Sequence, residues 1–264
     1  MLHFVHTHKL FELCIFLINM DSKPYLREIQ LMNNAVPSHD VYPFDIPAIK
    51  NLSSLYFHPD VTFIVGENGS GKSTLIEAIA LGLGFGLEGG PKSIQTITHN
   101  NVSPLFEYLK LIRSYKLPKD YFFLRAESFY NVATYMEEFN DPKYLKGYGG
   151  TLHGRSHGEA FLAVLTEKLK GHGLYIFDEP EAALSPERQM AALVAIDQLV
   201  QKRSQLIIAT HSPILLAYPN SIIYQLDENG IKEMSYEDTT QYQITKGFLD
   251  DYKRMLHILL GKSN

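Results

Sequence analysis

The chain has 264 residues, enough for one large domain, and 45% hydrophobic against 20% charged residues is the mix of a well-cored globular protein. Lys+Arg 24 against Asp+Glu 29 gives a net charge of −5, which argues against a grip on nucleic acid by the whole molecule and leaves a local basic patch open. The single cysteine, Cys14, excludes an internal disulfide and points to a reducing, cytoplasmic setting, and no apolar run approaches the roughly 20 residues of a membrane span.

Residues 1–23 read as an extension outside the domain. Leu10–Ile18 is apolar apart from Glu12, but the segment has neither the basic start nor the small cleavage-site residues of a signal peptide. His3, His6 and His8 have no carboxylate beside them and are read as incidental rather than as a metal site. The patterned sequence begins just after Met20, where translation is expected to start, and residues 24–264 are expected to form a single domain.

From Pro24 onward strands and helices alternate. Tyr25–Leu31, Val61–Val65, Tyr121–Leu124, Leu174–Phe177, Gln205–Ala209 and Ser221–Leu226 read as strands. Those apolar on both faces, such as Leu174–Phe177 and Leu206–Ala209, suit a parallel sheet covered on both sides. In Gly158–Lys170 the residues Phe161, Leu162, Leu165 and Leu169 share one helical face. Pro186 after Ser185 opens a helix to Lys202 with Met190, Leu193, Val194, Ile196 and Leu199 predicted inward. The Tyr- and Phe-rich stretch Pro91–Gly150 reads as an inserted helical lobe, reaching to about residue 160. The class is α/β.

Directly after the strand Val61–Val65 and before a helical run stands Gly66-Glu67-Asn68-Gly69-Ser70-Gly71-Lys72-Ser73, a match to G-x-x-x-x-G-K-S/T. Its glycines let successive backbone N–H groups turn into one concavity, and the helix that follows adds the positive end of its dipole. That concavity takes a polyphosphate, with Lys72 reaching its outer phosphates and the Ser73 hydroxyl ligating Mg²⁺.

The strand Leu174–Phe177 ends in Asp178 and Glu179, 106 residues after Lys72. A buried strand would deliver Asp178 to the sheet edge as a Mg²⁺ partner opposite Ser73, while Glu179 polarises an attacking water, a role that a hydrolase needs and a phosphotransferase does not. His211 follows the strand Leu206–Ala209 and would reach the same edge, where it can donate a hydrogen bond to a terminal phosphate.

Together these residues resemble the ATP-binding-cassette (ABC) ATPases, and in particular small stand-alone bacterial ATPases of this type labelled as AAA-family. The resemblance is carried by GENGSGKST (Gly66–Thr74), FFLRAESFYNVATY, SHGEAFL, LYIFDE, DEPEAALSPERQ and IIATHSPILLAYP, and runs from Pro24 to Leu260. It implies a P-loop NTPase fold: a mostly parallel core sheet flanked by helices, an antiparallel N-terminal subsheet and an inserted helical lobe. It also implies that Arg155-Ser156-His157-Gly158-Glu159 is the signature motif and Pro180–Ser185 the D-loop. Ser156, Gly158 and Glu159 would then contact ATP held on a second copy, two copies closing head to tail around two nucleotides. The sequence departs from the family in reading S-H-G-E for S-G-G-Q, in having Ser185 where the D-loop has Asp, and in lacking the loop glutamine, for which Glu127 is the candidate metal and water contact. Tyr42 and Phe44 are the candidates for stacking on adenine.

The implied function is ATP hydrolysis coupled to a conformational change in a soluble process, with DNA metabolism and cell defence as settings and an unidentified protein partner left open. The alternative is the nucleotide-binding subunit of a membrane transporter, itself without membrane insertion. The 84 residues between Lys72 and Ser156 leave no room for a long coiled-coil arm, and the scattered Lys143, Lys146 and Arg155 form no basic stripe with interleaved aromatics.

Overall fold

A computed structural model describes residues 23–92, 102–128 and 156–261. The extension 1–22, with Met20 and the three histidines, lies outside the described residues, as do 93–101, 129–155 and therefore Arg155. The strands are β1 (Leu26–Leu31), β2 (Ser54–Tyr56), β3 (Val61–Gly66), β4 (Leu109–Arg113), β5 (Asp120–Arg125), β6 (Gly173–Asp178), β7 (Gln205–Ala209), β8 (Ser221–Asp227) and β9 (Gly230–Met234). The longer helices are α1 (Lys72–Gly82), α2 (His157–Ala163), α3 (Pro186–Gln201), α4 (Thr240–Asp250) and α5 (Tyr252–Leu259). α2 runs on into a π-helical turn, Val164–Lys168. Among the described residues no helix is long and apolar enough to cross a membrane.

Six strands form one sheet in the order β5-β6-β7-β3-β8-β9, parallel except for the antiparallel pair β8 and β9. β2, β1 and β4 form a separate antiparallel sheet. In the large sheet the two-residue pleat sorts side chains into two cores. Phe63, Phe122, Tyr175, Phe177, Leu206 and Ile208 face the layer that holds α2 and α3. Ile64, Phe123, Ile176 and Ile207 face α1 and the small sheet. Burial on both faces is why these strands read as unbroken apolar runs.

Three expectations need correction. The stretch predicted as a helical lobe holds, in its described part, a 3₁₀ turn at Pro104–Tyr108 and the unpredicted strand β4, beside β5, which contains the predicted strand Tyr121–Leu124. β4 pairs with β1 and closes the small sheet, so tertiary pairing sets its conformation. On α3, Met190 and Val194 point outward, 54% and 60% exposed, whereas Ala192, Ala195, Ile196 and Leu199 are buried. Those four fall at i, i+3, i+4 and i+7, so the buried stripe takes in Ala192 and Ala195 with Ile196 and Leu199, and Met190 and Val194 lie beside it. Phe44 is buried in the core with Tyr108 edge-on at 5.0 Å and offers no face to a base.

Phe177→Ala, which empties a site between β6 and α2, should cost about 3–5 kcal/mol in denaturant unfolding, whereas Val194→Ala should stay within about 0.5 kcal/mol.

Candidate functional site

Parallel pairing brings the motif strands to one edge in a fixed register. Asp178 lies level with Ala209 and with Arg125, and Ala209 lies level with Ile64, two residues before the loop glycine Gly66. The chain after β3 then turns through Glu67–Ser70 into α1. Gly71 caps that helix at φ 97°, and a Cβ there would sit 2.8 Å from Ile46 Cγ2, so both backbone and space require glycine. Lys72 is buried, and its ammonium donates to the carbonyls of Gly66 and Glu67 at 3.0 Å each. Burial lowers the Lys72 pKa, and the acids Glu179, Asp178 and Glu181 oppose that shift.

Ser73 and Asp178 meet across the edge, the Ser73 hydroxyl donating to Asp178 Oδ1 at 3.3 Å. Burial pushes the Asp178 carboxyl up to about 6, Arg125 counters this, Glu179 adds to it and the Ser73 hydrogen bond lowers it. Arg125, at the end of the neighbouring strand, donates to Glu77 Oε2 at 2.9 Å and stands 4.0 Å from Asp178 Oδ2 and 3.6 Å from Glu127 Oε2. Among the described residues no cluster of three or more His, Cys, Asp or Glu could hold a metal alone. One hydroxyl and one carboxylate side by side fit Mg²⁺, which keeps several waters and takes its remaining ligands from substrate phosphates.

Glu179 leaves the strand with φ 52° and ψ 51°, left-handed backbone that a non-glycine residue adopts at a cost. Its N–H donates to the Ala209 carbonyl at 2.9 Å, which fixes the turn to β7. The turn carries the carboxylate off the sheet, to 3.5 Å from His211 Nε2. The His211 backbone N–H in turn donates to Glu181 Oε1. This is an acid–imidazole pair at the sheet edge, in ion-pair range but longer than a well-formed hydrogen bond.

A cavity of about 620 Å³ opens over this edge, lined in part by Tyr42, Asn68, Lys72, Ser73, Glu127 and Glu179. Tyr42 is 62% exposed at the rim, with its hydroxyl 3.5 Å from Thr74 Oγ1. The loop Gly66–Thr74, Asp178, Glu179, His211 and Glu127 thus gather at one place. Ser156, Gly158 and Glu159 do not belong to the cavity lining. Ser156 and Glu159 are exposed at the start of α2, where the Ser156 N–H donates to Glu159 Oε2 at 2.9 Å, while Gly158 is buried.

Sequence reading assigned no role to Arg125 or Arg188, and named Glu181 only within the D-loop Pro180–Ser185. Arg125 gains its place from β5 lying next to β6, an adjacency that the order of motifs does not encode. Glu181 follows the acid pair by two residues and is recognisable only once β7 is known to lie alongside.

Two AAA-domain family models match the sequence. One covers residues 44–130, and the other, whose description links it to the AbiEii toxin of a type IV toxin–antitoxin system, covers 160–217. No curated protein matches the chain. Among solved structures, it is similar to the SMC head domain from Thermotoga maritima at 17% identity and a TM-score of 0.44, over 80% of this chain and 99% of that one. It is also similar to cbiO1 from Clostridium perfringens, part of the ABC transporter complex cbiONQ, at 18% identity and a TM-score of 0.43, over 79% of this chain and 90% of that one.

A carboxyl with a raised pKa favours the fold while protonated and loses that benefit as pH climbs through its folded value. In metal-free protein the wild type should therefore lose roughly 1–3 kcal/mol relative to Asp178→Asn between pH 4 and pH 7, read by denaturant unfolding at each pH. A difference that stays flat across that range contradicts the assignment.

Proposed function

We propose that this chain, which matches AAA-domain models over residues 44–130 and 160–217 and builds a mostly parallel sheet, binds and hydrolyses ATP, closing head to tail with a second copy as it does so. One observation carries the reading: Lys72, the Ser73–Asp178 contact and the Glu179–His211 pair converge on a single cavity edge.

The parts divide the work. Backbone N–H groups of the loop and the start of α1 receive the phosphates. The Lys72 ammonium, held over the loop by two carbonyls, exchanges those contacts for phosphate oxygens. Ser73 and Asp178 would hold Mg²⁺, which supplies charge neutralisation at the phosphates when bound. Glu179, turned off the strand, takes a proton from the attacking water, and His211 beside it orients the carboxylate and donates toward the terminal phosphate. Tyr42 at the cavity rim would be the surface for the adenine, and Glu127, in the same lining, would contact the metal's water shell.

The turn bearing Ser156, Gly158 and Glu159 lies apart from its own cavity, which fits contact with a nucleotide on another copy. Two such contacts related by a two-fold axis make a closed dimer. Loss of the terminal phosphate then removes the bridge and opens it. We place this cycle outside the membrane, in DNA metabolism or cell defence, and the toxin-linked description of residues 160–217 favours defence.

Lys72→Ala should weaken nucleotide binding by roughly tenfold to a hundredfold in equilibrium titration, the loss of a charge-assisted contact. Glu179→Gln should bind ATP as the wild type does and hydrolyse it about 10²–10⁴ times more slowly in a steady-state assay. Normal turnover by that variant would remove Glu179 from the role of base.

A further inference from the structure

The turn at Ser156 departs from the family pattern by carrying a carboxylate, Glu159, where a neutral amide is usual. A negative charge one helical turn from Ser156 opposes the approach of a triphosphate. The structure supplies an answer from another part of the chain. Arg188, in the first turn of α3, donates from Nη1 to Ser156 Oγ at 3.0 Å and from Nη2 to Glu159 Oε1 at 3.1 Å. The other carboxylate oxygen of Glu159 accepts the Ser156 N–H, so the three residues close into one cluster. The Ser156 backbone N–H, the Ser156 hydroxyl and Arg188 all favour the charged carboxylate.

We propose that Arg188 is a positioning residue for closure of the ATP dimer, cancelling the charge of Glu159 and fixing the Ser156 hydroxyl as a donor toward a phosphate oxygen. The inference rests on the head-to-tail reading above and deepens it. A hydroxyl that accepts from a guanidinium keeps its own proton for another acceptor. Glu159 takes that role in the open molecule, and an incoming phosphate takes it on closure.

The same turn of α3 also reaches the hydrolytic edge. Gln189, next to Arg188, donates to the Leu184 carbonyl at 3.0 Å and accepts from the Ser212 hydroxyl at 2.6 Å, one residue beyond His211. Side chains adjacent in sequence thus touch the Ser156 turn and the His211 turn. Arg188 and Glu159 are 35% and 53% exposed, so their ion pair adds little to the stability of the fold. Its effect belongs to the interface instead.

The test uses the full chain carrying Glu179→Gln, with ATP and Mg²⁺, and sedimentation velocity over a range of protein concentrations. Adding Arg188→Ala should weaken ATP-dependent dimerisation at least about tenfold, with an unchanged thermal midpoint and with ATP affinity of single subunits reporting separately on the P-loop. Arg188→Lys should recover part of the loss, because it restores the charge without the two-pronged geometry. Glu159→Gln added to Arg188→Ala should recover most of it, because no carboxylate then needs cancelling. Dimerisation of Arg188→Ala equal to its parent, or failure of Glu159→Gln to rescue it, overturns the role of Arg188. A parent that stays monomeric with ATP overturns the dimer reading, and the inference falls with it.

Discussion

Everything at this site depends on the register of three parallel strands. β3, β7 and β6 are locked so that Asp178 and Ile64 both lie level with Ala209, and the loops leaving the three strands therefore emerge side by side. A slip of one residue in any of them would turn its buried side chains to the opposite face and carry its loop away from the others. Interdigitated aromatic and aliphatic side chains on both faces hold that register. Core packing and the geometry of the candidate site are in this sense the same constraint.

The edge concentrates charge that burial opposes. Lys72 and Asp178 are both buried, and burial drives each toward its neutral form, the lysine pKa down and the carboxyl pKa up. The neighbouring groups work against burial: three acids around Lys72, and Arg125 with the Ser73 hydroxyl at Asp178. Lys72 bonded to two backbone carbonyls and Asp178 to a hydroxyl are buried charges that stabilise a fold poorly, and on the proposed reading a phosphate–metal pair would take up those contacts. The left-handed backbone at Glu179 belongs to the same pattern, since local strain there turns a carboxylate toward His211.

Much of this was legible in the sequence because the residues concerned are local in the chain. Gly66–Ser73 is contiguous, and a strand apolar on both faces that ends in Asp178 and Glu179 announces burial and an edge position together. What was hidden depends on neighbours distant in sequence. β4 is a half-exposed strand that exists because β1 offers it a partner, so a local reading took it for part of a helical lobe. β9 was missed although Asn229-Gly230 is a hairpin signal in the sequence, because its own residues are mostly half-buried or exposed and carry little hydrophobic pattern. Met190 and Val194 were assigned inward as apolar residues of the helix, whereas it buries its small Ala192 and Ala195. Arg188 could not be found at all from local pattern: its partner Ser156 lies 32 residues away, and only the packing of α2 against α3 brings them together.

On the proposed reading the ATP site is an assembly of two copies, with the phosphate loop from one and the Ser156 turn from the other. A crystal structure of the Glu179→Gln protein with ATP and Mg²⁺ tests this most directly. The expected result is a two-fold dimer in which Ser156 Oγ lies about 3 Å from a terminal phosphate oxygen of the nucleotide held by the other copy's Lys72. A nucleotide fully enclosed by one copy, with both Ser156 turns facing solvent, would contradict it.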